Sequence, residues 1–177
     1  MKKYFVLGAA VVILGLLINY ALGGFAAMEP KLIEVNDYTI YGEPFEGSYK
    51  STELSELVNK MREKQKQFGE AADVVIVNYF NEDKERVGYV KNFVGLQFNA
   101  SEPDSIAGLQ KKIIKANKAL EIKIKIKPLI MPTPEKIQDK ATEMAEFDSL
   151  KLKGLSIEQY KESGVLVVEF PIEDEKK

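Results

Sequence analysis

The run EIKIKIK, from Glu121 to Lys127, alternates Ile122, Ile124 and Ile126 with Lys123, Lys125 and Lys127. A strand sends successive side chains to opposite faces, so this pattern gives one buried row and one solvated row. A lysine row can also serve as a lipid or nucleic-acid patch. In an acidic domain the solvated face of a strand is the favoured reading.

Other segments take their places around that strand. The stretch DYTIYGEPFEGSY reads as a strand interrupted by turn residues at Gly42, Pro44 and Gly47. Ser51 then caps a helix whose Leu54, Leu57, Val58 and Met61 recur at helical spacing, with Gly69 beyond its end. DVVIVNYFN is a buried strand, NEDKE a charged turn, and RVGYVKNFVGLQFN a strand returning as a hairpin. IAGLQKKIIKANKAL has no decisive periodicity, and MEPKLIEVND reads as a polar connection. Thr133 and Pro134 open a second helix with Ile137, Ala141, Met144 and Ala145 as its apolar stripe. DSLKLKGLSIEQYKESG reads as the link to a last strand, VLVVEFPIE.

The halves repeat each other as strand, helix, and aliphatic strand ending in polar and aromatic residues. Laying VIVNYF over LVVEFP puts Asn78 opposite Glu169 and Tyr79 opposite Phe170. The fold class expected is α+β: duplicated β-α-β-β units forming an antiparallel sheet, two helices on one face, and a ligand cleft on the other.

A different segment precedes this domain. Tyr4 to Ala27 carries no charge and at about 1.5 Å per residue can cross a hydrocarbon core of roughly 30 Å. Lys2 and Lys3 before it place the N-terminus in the cytoplasm and the rest on the periplasmic or extracellular side. A cleaved signal peptide is the competing reading, with Ala21, Leu22 and Gly23 as a small-x-small site. The apolar run exceeds a usual signal core, which favours a retained anchor. The expected organisation is thus an anchor over 1–28 and a domain over 29–177.

Composition narrows the function. Lys2 and Lys3 aside, 23 basic residues face 27 acidic ones, poor material for nucleic acid. Without His or Cys, disulfides and thiol chemistry are excluded, and a zinc site would need carboxylates alone. No metal or cofactor is expected, and no protein partner is specified.

YGEPFEGSY, VVIVNYFNEDKERVGYVKNFVGLQF and VLVVEFPIE together resemble the GyrI-like small-molecule-binding family, the effector-binding domains of AraC-type and MerR-type regulators. The resemblance covers approximately residues 31 to 173. Two departures stand out: a membrane span where such regulators carry a DNA-binding helix-turn-helix, and a longer, more charged link after Phe98. The resemblance implies a pocket lined by aromatics with an acid on a late strand. Glu169 takes the acid's position, Tyr41, Tyr79 and Phe80 the aromatics' positions, and Tyr89 and Phe93 match more loosely.

Such a pocket suits an apolar or cationic ligand, through charge pairing and cation–π attraction of roughly 0.5–2 kcal/mol per contact. Without a ligand Glu169 is expected to hold a raised pKa. Plainer readings stand beside these. Glu169 can lie at a solvated edge or pair with a lysine of the 123/125/127 set, and each tyrosine alone can be ordinary core. Glu43 and Glu46 suit a solvated turn better than a gate. Small-molecule binding is the reading favoured; a hydrolase using Glu169 as general base, or a ligand-free envelope scaffold, are the alternatives.

Overall fold

The computed structural model describes residues 28–80, 88–126, 131–161 and 163–174. Within them the strands are β1 (Lys31–Glu34), β2 (Tyr38–Ser48), β3 (Ala72–Tyr79), β4 (Tyr89–Phe98), β5 (Gln110–Ile114), β6 (Lys118–Lys125), β7 (Leu155–Lys161) and β8 (Val165–Pro171). The helices are α1 (Thr52–Gln65) and α2 (Pro134–Phe147). Each starts at the cap its sequence announces: Ser51 Oγ accepts from Glu53 N at 3.1 Å, and Thr133 Oγ1 from Lys136 N at 3.4 Å, with Pro134 next in line.

All strands join one antiparallel sheet in the order β1-β6-β8-β7-β3-β4-β2-β5. The duplication is visible in that order, because β2-α1-β3-β4 and β6-α2-β7-β8 each place the third strand between the other two. The halves meet where β3 pairs with β7, Val74 opposite Tyr160 and Tyr79 opposite Leu155. The true counterpart of β3 is therefore β7, and that of β8 is β4. The overlay of VIVNYF on LVVEFP matched two aliphatic strands that hold different places in their units.

The same order shows that the sheet is curled. Six interstrand steps separate β1 from β2, about 29 Å on a flat sheet, yet Val35–Asp37 joins them and can span only about 14 Å. The link from β5 to β6 makes the same jump in three residues. Both jumps are possible because 31–42 and 110–121 keep one antiparallel register, Glu34 opposite Lys118 and Tyr38 opposite Ile114, bridged by Val35 N to Asn117 O at 3.0 Å. The sheet's two ends meet along this ribbon.

One face carries the helices. Met61 of α1 packs on Val74, Val94 and Leu96, while Ile137, Ala141 and Ala145 of α2 pack on Leu120, Ile122, Leu166, Val168 and Phe170. The inner face of the curl holds a second core of Tyr38, Ile40, Val75, Val77, Phe93 and Ile157, among others. The face opposite the helices is thus largely filled with side chains.

Three segments differ from their sequence reading. Gly42, Pro44 and Gly47 do not interrupt β2, which runs through all three. Gly42 lies opposite Gly95, and a Cβ added to either would fall 2.1 Å from Val94 O or 2.4 Å from Tyr41 O, so bare backbones are required for close approach. Pro44 lies beyond the residues paired with β5, where its missing N–H costs no ladder bond. The polar connection before Asn36 contains β1, and the link after α2 contains β7. β7 escapes notice because only Leu155 and Ile157 mark its apolar face, among Ser156, Glu158, Gln159 and Tyr160.

Among the described residues no helix is long and apolar enough to cross a membrane. The expected span from Tyr4 to Ala27, the turn NEDKE and Lys127 lie outside them.

Candidate functional site

β7 and β8 pair with Ile157 opposite Glu169 and Glu158 opposite Val168. Adjacent positions on a ladder point to opposite faces, so the strands send Glu158 to the helix side and Glu169 to the inner side.

On the helix side, α1 packs over β2, β3 and β4, and α2 over β6 and β8. The seam between β3 and β7 is left as the floor of a trough between the helices. Glu158 lies on that floor, half-buried, and holds two donors: Asn78 Nδ2 at 2.9 Å and Tyr160 Oη at 2.9 Å. Asn78 Nδ2 also reaches Ser156 Oγ at 3.3 Å. Burial pushes the Glu158 carboxyl pKa up, against the pull of these two bonds. The Tyr160 hydroxyl is also pushed up, by burial first and then by Glu158, while Arg62 from α1 acts the other way. Strand alternation could have joined Glu158 to Tyr160 on one face, had the segment been recognised as a strand.

On the inner side, Glu169 is 7% exposed and accepts from Gln159 Nε2 at 3.3 Å. Burial raises its pKa, as the sequence reading expects; Tyr38 then lowers it, and Glu121, its cross-strand neighbour, raises it again. The Tyr38 hydroxyl is close enough to favour the ionised carboxylate yet is not aligned to bond it, and it has no other partner. Burial and Glu169 together hold that phenol far above its ordinary range. Lys161 and Lys123 also lower the Glu169 pKa, but Lys161 pairs with Asp73 at 2.6 Å and Lys123 with Glu121 at 2.9 Å. A pocket of about 350 Å³ lies here, with Tyr38, Gln97, Gln159 and Glu169 in its wall and exposed Asp37 and Glu102 at its mouth.

The aromatics singled out in the sequence are spread over the molecule. Tyr41 is on the helix side, edge-on to Phe98, its hydroxyl donating to Pro103 O. Phe80 stacks on Phe170 beside the α2 core, centroids 6.1 Å apart. Tyr79 and Phe93 share the inner core, with Lys112 Nζ 4.6 Å and 5.0 Å from their ring centroids. Tyr89 begins β4, opposite Ser48. None of the five lines the Glu169 pocket. Among the described residues no cluster of acidic side chains is placed to hold a metal ion.

No protein-family model and no curated protein matches the chain. Solved structures do. The C-terminal domain of EcmrR is similar with a TM-score of 0.58 at 14% identity, over 83% of this chain and 98% of that one. A hydrolase from Listeria innocua is similar at 0.56 and 10%, over 88% and 98%. An integron cassette protein from the mobile metagenome of Vibrio cholerae is similar at 0.55 and 11%, over 82% and 96%. At such identities the likeness is one of fold alone.

Proposed function

We propose that this chain binds small apolar or cationic molecules in the trough between its helices, with Glu158 as the anchoring carboxylate. The observation that carries this reading is a half-buried carboxylate held by Asn78 and Tyr160 on the β3–β7 seam, with Arg62 of α1 on one side and the α2 core on the other. A carboxylate fixed before the ligand arrives loses little freedom on binding. Beside the Tyr160 ring it offers a lipophilic cation both charge pairing and cation–π attraction.

The test is thermal unfolding of residues 29–177 with benzyltrimethylammonium or benzyl alcohol. A ligand at a hundred times its Kd adds about 2.7 kcal/mol. The cation is expected to raise the Tm of wild type and of Glu169→Gln but not of Glu158→Gln. Equal shifts in all three would remove Glu158 from the site.

A hydrolase is the second reading, favoured by the raised Glu158 pKa beside the Tyr160 hydroxyl and by the fold shared with the Listeria innocua hydrolase. A carboxylate raised toward neutrality suits a general base. Turnover of a reactive ester that disappears in Glu158→Gln would establish it.

The uncharged run from Tyr4 to Ala27 supports a single-pass anchor holding the domain outside the cytoplasm. Protease added to intact spheroplasts should remove a C-terminal epitope. An epitope protected until lysis would reverse that topology.

A further inference from the structure

The pocket on the inner face is separate from the trough and built from different chemistry. Its wall presents acceptors: the Glu169 carboxylate, and Gln97 Oε1, which is buried without a hydrogen bond. The Tyr38 hydroxyl beside them is near Glu169 but makes no aligned hydrogen bond, on a side chain only 3% exposed. A buried polar atom without an aligned partner is costly, so an acceptor and a hydroxyl in that state in one pocket favour a ligand that supplies donors.

Charge says what enters. The lysines around Glu169 are committed to other carboxylates: Lys161 to Asp73, Lys123 to Glu121, and Lys115 to Asp37 at 2.5 Å. Lys111, beyond the mouth, faces Glu102 at 3.7 Å. Among the described residues, Glu169 is left as the carboxylate of this group without a lysine paired to it. At about 350 Å³ the pocket is near the lower end of the range for ligand sites, roughly 300–1,000 Å³. The aromatic pair Tyr79 and Phe93 is elsewhere on the inner face; the wall has Tyr38 and Phe98 as its aromatics and is otherwise mostly polar, with more hydrogen-bonding groups than a lipophilic cage would carry.

We infer that this pocket is a second binding site, for a small organic cation rich in N–H donors, a guanidinium or primary ammonium group on a short chain. The charged head pairs with Glu169 and donates to Gln97 Oε1, and the Tyr38 hydroxyl completes its shell. A quaternary ammonium of equal charge lacks the donors and gains only the charge term, because a site built for N–H groups leaves its acceptors unpaired when they are missing. The inference does not depend on the trough being a ligand site.

The experiment is isothermal titration calorimetry of the full chain in detergent with propylguanidinium chloride and, separately, tetraethylammonium chloride. In Glu158→Gln, which removes the trough's carboxylate, propylguanidinium should bind with one-to-one stoichiometry, at least tenfold tighter than tetraethylammonium. Glu169→Gln should weaken it at least tenfold. Gln97→Leu, a second variant that leaves the carboxylate in place, should weaken it about fivefold or more. Absence of propylguanidinium binding to the wild type would overturn the inference. So would equal affinity for the two cations, or binding kept in both variants. Binding lost in Glu158→Gln but kept in Glu169→Gln would place the cation in the trough and equally overturn it.

Discussion

Glu158 and Glu169 lie one ladder position out of step on neighbouring strands, and the sheet separates them completely. Both pay for burial with raised pKa values, yet Glu158 has Asn78 and Tyr160 at 2.9 Å while Glu169 has Gln159 at 3.3 Å and a phenol out of line. The helix side can hold its acid in place because the seam between β3 and β7 brings donors from both repeats. The inner side is closed by the ribbon of 31–42 against 110–121, and its acid faces a small pocket instead. Burial alone does not distinguish the two; the donors each acid meets do.

The largest effect should come from opening the inner side itself. Gly95→Ala forces a Cβ to within 2.4 Å of Tyr41 O, and overpacking of this kind against backbone costs about 3 kcal/mol. At roughly 2–4 °C per kcal/mol for a chain of this size, the Tm should fall by about 6–12 °C. A smaller drop would mean that the curl is looser than the glycine pair implies.

Removing a donor should make the first acid resemble the second. Tyr160→Phe leaves Glu158 with Asn78 alone, at a cost of about 1–3 kcal/mol in chemical denaturation. Tyr38→Phe removes a buried hydroxyl with no aligned bond and should cost no stability at neutral pH, or raise it by up to about 1–3 kcal/mol. Equal losses from both would erase the contrast between the sites.

The smallest effect is the pH dependence, and its sign is fixed by the direction of both shifts. Each folded pKa is above the ordinary value of 4.5, so each carboxyl favours the folded state while protonated. That advantage is lost as the pH rises from 4.5 through the folded pKa. Glu169→Gln should therefore be more stable than wild type at pH 8, by about 1–2 kcal/mol, with the gain gone by pH 4. Glu158→Gln should show the same sign with a smaller gain, since Asn78 and Tyr160 already support the charge. Melting curves at the two pH values decide it, and a larger gain at Glu158 would reverse the ranking of the two acids.

Much of this was legible in the chain. Ser51, Thr133 and Pro134 mark helix starts because caps act within a few residues. The alternation in EIKIKIK shows a strand, and the faces of Leu166, Val168 and Phe170 against Glu169 follow from period two. β7 was not legible, since its central place in the sheet comes from pairing with β3 and β8 rather than from aliphatic content. With β7 unrecognised, Glu158 and Tyr160 could not be placed on one face. The aromatics Tyr41, Tyr79, Phe80, Tyr89 and Phe93 share a composition but not a site, because their strands and parities scatter them across both faces.

The sequence by itself determined the local terms: where the helices begin, which strands alternate, that the architecture is duplicated, and that the first segment is uncharged. Each rests on interactions between near neighbours in the chain. Only the tertiary structure decided that the sheet curls until its ends meet, that the repeats join at β3 and β7, and which acid meets which donors. Those outcomes depend on register between segments 80 or more residues apart, as in the bond from Asn78 to Glu158, and no local pattern encodes a register.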